Sequence, residues 1–170
     1  GKISLEAGSH FILDAECILG NQERVGLDYK ELPKDVEPGA ILMLDDGRIV
    51  LNVSKVKGSK IYCTVEQGGI LSNNKGINRK GGGLSAPALT DKDLEDIKTA
   101  AELKAEYLAV SFPRSGKDMS IARDLMNQAG GKSLLMAKIE RKEAIEELDG
   151  ILKASDAIMV ARGDLSVEVG

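Results

Sequence analysis

Tryptophan is absent from this 170-residue chain, and aromatic residues as a whole make up 3% of it. Runs of basic residues are absent too, and 27 acidic against 23 basic side chains leave a net charge of −4. A nucleic-acid surface built from clustered cations and stacking rings is therefore disfavoured. No apolar run approaches the roughly 20 residues needed to cross a bilayer, and the start has no charged, apolar, small-residue series of a secretory signal. No membrane partner is expected, and a soluble cytoplasmic location is the default. With one histidine, His10, and two isolated cysteines, Cys17 and Cys63, a Cys/His zinc site is excluded. Both thiols are expected to be free, and His10 to be exposed at a strand start without the orienting partner a general base needs.

What is present has the composition of a globular protein, with 42% hydrophobic and 29% interspersed charged residues. The length suits one ordinary domain, or a small domain plus part of another. From Ile3 to Gly69 the pattern is short and alternating, as in HFILDAE, ILMLDDGRIVLNVSKV and SKIYCTVEQGG. Period two with hairpin turns predicts antiparallel strands. Asp46-Gly47 and Lys57-Gly58 separate three runs, which predicts a meander closing into a small β-barrel. The segment LSNNKGINRKGGGLSAPAL, rich in Gly, Asn and Ser, is expected to be a linker, with a boundary near Gly81 to Gly83 and domains over 1–82 and 83–170.

Beyond the linker the period becomes helical. Thr90 with Asp93 three residues on forms a capping-box pattern, and Leu94, Ile97 and Ala101 share one face. Strand YLAVSF follows, then a helix around Met119 to Ala129 ended by Gly130 and Gly131, strand SLLMAKIE, a helix around Glu143 to Lys153 that is weakened by Asp149-Gly150 inside it, and strand AIMVARG. Alternating helices and buried strands predict a parallel sheet of three β/α units. Three parallel strands cannot close a barrel, and the phosphate loop of a doubly wound sheet is missing. The chain is expected to be a piece of something larger, truncated at both ends.

Lys138 and Glu140 lie two apart in MAKIE, so their side chains leave the same strand face. The next strand runs into ARGDL, which sets Asp164 beside Glu140 if the strands are neighbours at the carboxyl end of a barrel. Two carboxylates with open positions for water and substrate suit Mg2+ or Mn2+ better than a Ca2+ cage. Lys138 adds positive charge, and the group would neutralise a transferring phosphoryl. Gly163 permits close backbone approach, and the amides of Gly163 and Asp164 suit a carboxylate. Lys138, Glu140, Arg162 and Asp164 also suit a structural ion-pair cluster at a barrel rim, and spacing alone does not separate the two.

Taken together, DDGRIVLNV, GGxLSNNKGIN with isoleucine at x, TDKDLEDIK, YLAVSFPR, AKIER and ASDAIMVARGDLSVEVG resemble the pyruvate kinase family, in this order and spacing over nearly the whole chain. The resemblance implies a fold of class α/β, a partial (β/α)8 barrel of about strands four to six preceded by a small all-β lid. It implies transfer of the phosphoryl group of phosphoenolpyruvate to ADP in glycolysis, giving pyruvate and ATP. Lys138 matches the family's lysine at the transferring phosphoryl, and Glu140 and Asp164 its divalent-metal ligands. Ala161, Arg162 and Gly163 match the wall that holds the substrate carboxylate, and Ser111 a serine at the end of strand four. Lys75 matches a lysine approaching nucleotide phosphates, and Asp46 an aspartate facing the nucleotide and its metal. For Ser111, Lys75 and Asp46, an ordinary strand-end hydroxyl and solvated turn residues stay open beside these roles.

K+ is implied for the parent enzyme, with its ligands outside this chain, and the parent is expected to be a homotetramer. The remaining strands and a regulatory C-terminal domain are expected elsewhere, so the isolated chain should be inactive and prone to self-association through open sheet edges. Ser166 departs from the family pattern, where glycine follows ARGDL, and would be strained if that position needs positive φ. Two other functions stand beside this one: a metal-dependent 2-oxo-acid carbon–carbon lyase on a related barrel, and a non-catalytic binding module with a structural acidic cluster.

Overall fold

The computed structural model describes residues 1–169. They form a mixed α/β chain that divides into two compact units, Gly1–Ala86 and Pro87–Val169. In the first unit, β1 (Lys2–Leu5) pairs antiparallel with β7 (Gly69–Ser72), separately from a six-stranded sheet. That sheet is ordered β3 (Arg24–Gly26), β2 (His10–Asp14), β6 (Lys60–Gln67), β5 (Ile49–Lys57), β4 (Ile41–Leu44) and β8 (Ile77–Arg79).

The meander read from the turns is β4, β5 and β6, paired antiparallel in sequence order. Alternation shows within these strands: Leu42, Leu44, Ile49, Leu51, Val53, Ile61, Cys63 and Val65 are buried while the strand residues between them are not. The β5–β6 register shifts twice, skipping Glu66 of β6 between Val50 and Leu51 and Ser54 of β5 between Val53 and Lys55, as at β-bulges. Three details differ from the sequence expectation. A one-turn helix α1 (Leu32–Asp35) interrupts the strands. The sheet's pairing ends at β3 and β8 rather than closing. The segment expected as a linker contributes part of β7 and all of β8, whose Asn78 is buried against β4.

Both cysteines are free; Cys63 is buried, and burial pushes its thiol up to about 12. His10 opens β2 and is exposed.

The second unit alternates as its periodicity predicts. Helix α2 (Asp91–Glu102) starts in a formed capping box, the Asp93 amide donating to Thr90 Oγ1 and the Thr90 amide to Asp93 Oδ2 at 2.7 Å. Strand β9 (Tyr107–Val110), helix α3 (Gly116–Gln128), strand β10 (Leu134–Ile139), helices α4 (Lys142–Glu146) and α5 (Leu148–Ala154), strand β11 (Ala157–Val160) and helix α6 (Arg162–Val169) follow. The expected single helix over Glu143 to Lys153 is two, and the break falls at Glu147, whose φ of −101° and ψ of 18° leave the helical region, rather than at Gly150.

The strands form a parallel sheet ordered β11, β10, β9. One face carries Val110, Leu135, Ala137 and Ile139 into a core with Met119 and Ala122 of α3 and Ile151 of α5. At the joint between α3 and α5 the backbones of Gly116 and Gly150 lie close enough that a Cβ on Gly116 would stand 2.4 Å from the Gly150 carbonyl oxygen. Among the described residues no helix is long and apolar enough to cross a membrane.

Candidate active site

In a parallel sheet every strand presents its carboxyl end on the same side. Register pairs Lys138 with Met159 and Ile139 with Val160, and the Ala161 amide donates to the Ile139 carbonyl at 3.1 Å, so the chain after β11 leaves beside Glu140. On the other flank Ala137 pairs with Val110, which sets Ser111 beside Lys138.

Lys138 Nζ lies 2.7 Å from Glu140 Oε1 and donates to Ser111 Oγ at 3.1 Å. The second carboxylate oxygen of Glu140 accepts the Phe112 amide at 2.7 Å. The Glu140 side chain is 1% exposed and that of Lys138 26%, so the carboxylate is taken out of water while the ammonium keeps a wet side. A buried carboxylate is tolerable only when its charge is met by donors, and here a cation and an amide meet it.

Asp164, half-buried and with contacts of its own, stands in the first turn of α6. Ala161 precedes that helix and accepts from the Leu165 amide at 3.0 Å. Arg162, Gly163 and Asp164 therefore stand in the first turn of α6, the end of a helix that favours negative charge. Gly163 has open space around it, with nothing within 4 Å of where a Cβ would stand. Among the described residues, no three or more His, Cys, Asp or Glu side chains cluster as a metal centre. Glu140 and Asp164 carry the hard oxygens that suit a divalent ion; Glu140 Oε1 faces Lys138 Nζ and Oε2 the Phe112 amide, and each carboxylate oxygen has a second lone pair.

Within the first unit, Lys75 and Asp46 occupy neighbouring turns, tied where the Asp45 amide donates to the Gly76 carbonyl at 3.2 Å. Lys75 Nζ pairs with Asp45 Oδ1 at 2.7 Å, and not with Asp46. Asp46 is exposed at a φ of 56°. The Lys75 hydrogen bond, helped by its charge and that of Arg48, holds the Asp45 carboxyl below the usual carboxylate range against the opposing effect of burial.

Sequence reasoning did not single out Asp45, Phe112 or Arg141. The Asp-Asp pair did not say which carboxylate would face the lysine, and no periodicity marks Phe112, which sits at a left-handed φ of 55° just past β9.

All of residues 1–170 match the family model described as pyruvate kinase, barrel domain. The chain belongs to the pyruvate kinase family. It is 58% identical to the pyruvate kinase of Haemophilus influenzae, over 100% of this chain and 37% of that protein. It is 55% identical to pyruvate kinase II of Salmonella typhimurium, over 100% of this chain and 36% of that protein. The pyruvate kinase of Corynebacterium efficiens is 40% identical over 99% of this chain and 36% of its own length. The chain thus spans about a third of the length of these relatives, within the pyruvate kinase family and at high identity. The lyase and the non-catalytic module are not favoured by these matches.

Proposed function

We propose that this chain is the segment of a pyruvate kinase that supplies part of the phosphoryl-transfer site and the nucleotide-facing domain. The parent enzyme moves the phosphoryl group of phosphoenolpyruvate to ADP, and the enolate left behind is protonated to pyruvate. The observation that carries this reading is the family match over residues 1–170. The pairing of Lys138 with the buried Glu140 at the carboxyl edge of a parallel sheet supports the location.

In this proposal Lys138 keeps its ammonium against the transferring phosphoryl oxygens, where its charge is worth most as negative charge spreads. Glu140 sets the position of that ammonium, and Ser111 holds it from the other side. Glu140 and Asp164 would hold Mg2+, or Mn2+ in its place. When bound, that ion supplies positive charge to the phosphoryl and substrate oxygens. The first-turn amides of Arg162 and Gly163 orient the substrate carboxylate, and Ala161, whose own amide is held by the Ile139 carbonyl, completes that wall.

The second unit is then strands four to six of a (β/α)8 barrel, and the first, residues 1–82 with the following turn, is a lid whose Lys75 and Asp46 face the nucleotide. Closure excludes water, so that the phosphoryl reaches ADP instead of being hydrolysed. K+ would be bound by residues elsewhere in a homotetrameric, cytoplasmic, glycolytic parent. The isolated chain lacks the remaining strands and is proposed to be inactive. Its unpaired edges, β9 and β11, would promote self-association.

The test is ATP formation from phosphoenolpyruvate and ADP with Mg2+ and K+ by the full-length protein. Lys138→Met should lower turnover by about 10²–10³-fold, the range for removing a donor to developing charge. A wild-type protein that forms no ATP sinks the proposal.

A further inference from the structure

Phe112 combines features that do not come together by local preference. Its φ is 55°, a region that bulky side chains avoid. It precedes Pro113, and a residue before proline is pushed toward extended backbone instead. Its amide nevertheless donates to Glu140 Oε2 at 2.7 Å, and the Arg141 guanidinium carbon lies 5.6 Å from the centre of its ring. Arg141 is itself buried, at 7% exposure, and follows Glu140 directly.

The two contacts explain the conformation. Rotation about N–Cα decides where the ring and Pro113 go once the amide has been aimed. With the amide on Glu140, the left-handed φ is what lays the ring under Arg141. At an ordinary φ, either the ring leaves the guanidinium or the amide leaves the carboxylate. Backbone outliers of this kind persist where the surroundings over-determine them.

We propose that Phe112 is a positioning residue for Glu140. Its left-handed backbone, clamped by the Arg141 stack, holds the second carboxylate oxygen still while Lys138 takes the first. This rests on the proposed role of Glu140 in the phosphoryl-transfer site.

The experiment compares Phe112→Ala and Phe112→Gly in the full-length protein. Glycine adopts positive φ freely and alanine does not. If the backbone conformation is what matters, Phe112→Ala loses about 100-fold in kcat and Phe112→Gly no more than about tenfold, with KM for ADP little changed. A ring that served only as packing would give the opposite order, since glycine removes more contact and adds chain entropy. Glycine equal to or worse than alanine, or neither variant impaired, overturns the proposal.

A second readout does not depend on activity. Amide exchange at Phe112, read by mass spectrometry next to a proline that has no amide, should speed up by about tenfold in Glu140→Gln, because the charge-assisted bond is weakened. Unchanged exchange in a folded variant also overturns it. If the wild type forms no ATP but exchange responds, the pyruvate kinase reading fails and the Phe112–Glu140 coupling stands.

Discussion

Lys138 and Glu140 leave β10 on the same face and meet at 2.7 Å, the carboxylate 1% exposed and the ammonium 26%. Neither side chain is therefore independent of the other. Removing Lys138 alone leaves a buried negative charge with the Phe112 amide as its other named donor. Lys138→Met should lower unfolding free energy by about 2–4 kcal/mol, less than a fully buried pair would lose because water reaches the lysine. Lys138→Met with Glu140→Gln should cost clearly less than the sum of the single changes. Urea unfolding of the four proteins measures this; additivity within about 0.5 kcal/mol would show that the two are not coupled.

That pair was legible in the sequence because a strand has period two: residues at positions 138 and 140 had to share a face. The parallel order was equally legible, since alternating helix and strand permits little else. The contacts that complete Glu140 were not. Phe112 reaches it through a left-handed turn that contradicts local preference, and side-chain pattern carries no sign of a backbone outlier. In the first unit the Gly- and Asn-rich stretch hid β8, because three residues, Ile77–Arg79, are too few to show alternation. Its partner β4 supplies the hydrogen bonds that make it a strand. The family pattern points separately to Lys75 and Asp46, and says nothing of the ion pair that Lys75 makes with Asp45.

Gly116 and Gly150 meet where α3 packs on α5, and the contact is not symmetrical. A Cβ on Gly116 would stand 2.4 Å from the Gly150 carbonyl oxygen and 2.7 Å from its carbon, backbone atoms that cannot swing aside. Gly116→Ala should cost about 1–3 kcal/mol, the range for overpacking. A Cβ on Gly150 meets nothing closer than 3.7 Å, and the residue lies inside α5 at no special φ. Gly150→Ala should therefore stabilise by up to about 1 kcal/mol, the helix-propensity difference. Thermal melting of both variants checks the pair, and two shifts of the same sign would contradict it.

Asp156 ties three elements together ahead of β11. Its carboxylate accepts the Leu135 amide at 2.8 Å and Arg123 Nη2 at 2.7 Å, and Arg123 also donates to the Ala154 carbonyl. The Leu135 amide, then the Arg123 guanidinium, hold this carboxyl below its usual range. The sign follows from which state takes up the proton first. With the folded value the lower, the stabilisation is complete above about pH 4 and fades as pH falls through the folded value. Asp156→Asn should unfold at lower urea than wild type at neutral pH, and the gap should narrow as acidification carries the pH below the ordinary carboxylate range and through the lowered folded value. A gap that stays constant, or widens in acid, would remove Asp156 from the acid-sensitive groups.

Ser166 tests whether departure from a family pattern carries a cost. Glycine was expected there, and serine would be strained if the backbone were left-handed. Among the described residues, the non-glycine residues at positive φ are Asp45, Asp46, Asn74, Lys104 and Phe112, and Ser166 is not one of them. It lies within α6, exposed, its hydroxyl donating to the Gly163 carbonyl at 2.8 Å. Serine is therefore unstrained, and glycine would lose that bond while adding chain entropy. Ser166→Gly should lower stability by about 0.5–1 kcal/mol. Turnover of the full-length protein should stay within about twofold, because the exposed Ser166 hydroxyl is turned to its own helix and the loss falls on folding rather than on the reaction barrier. A large gain in turnover would mean that the backbone at the start of α6 takes a glycine-specific conformation during the reaction, and the site geometry around Gly163 and Asp164 would have to be redrawn from that state.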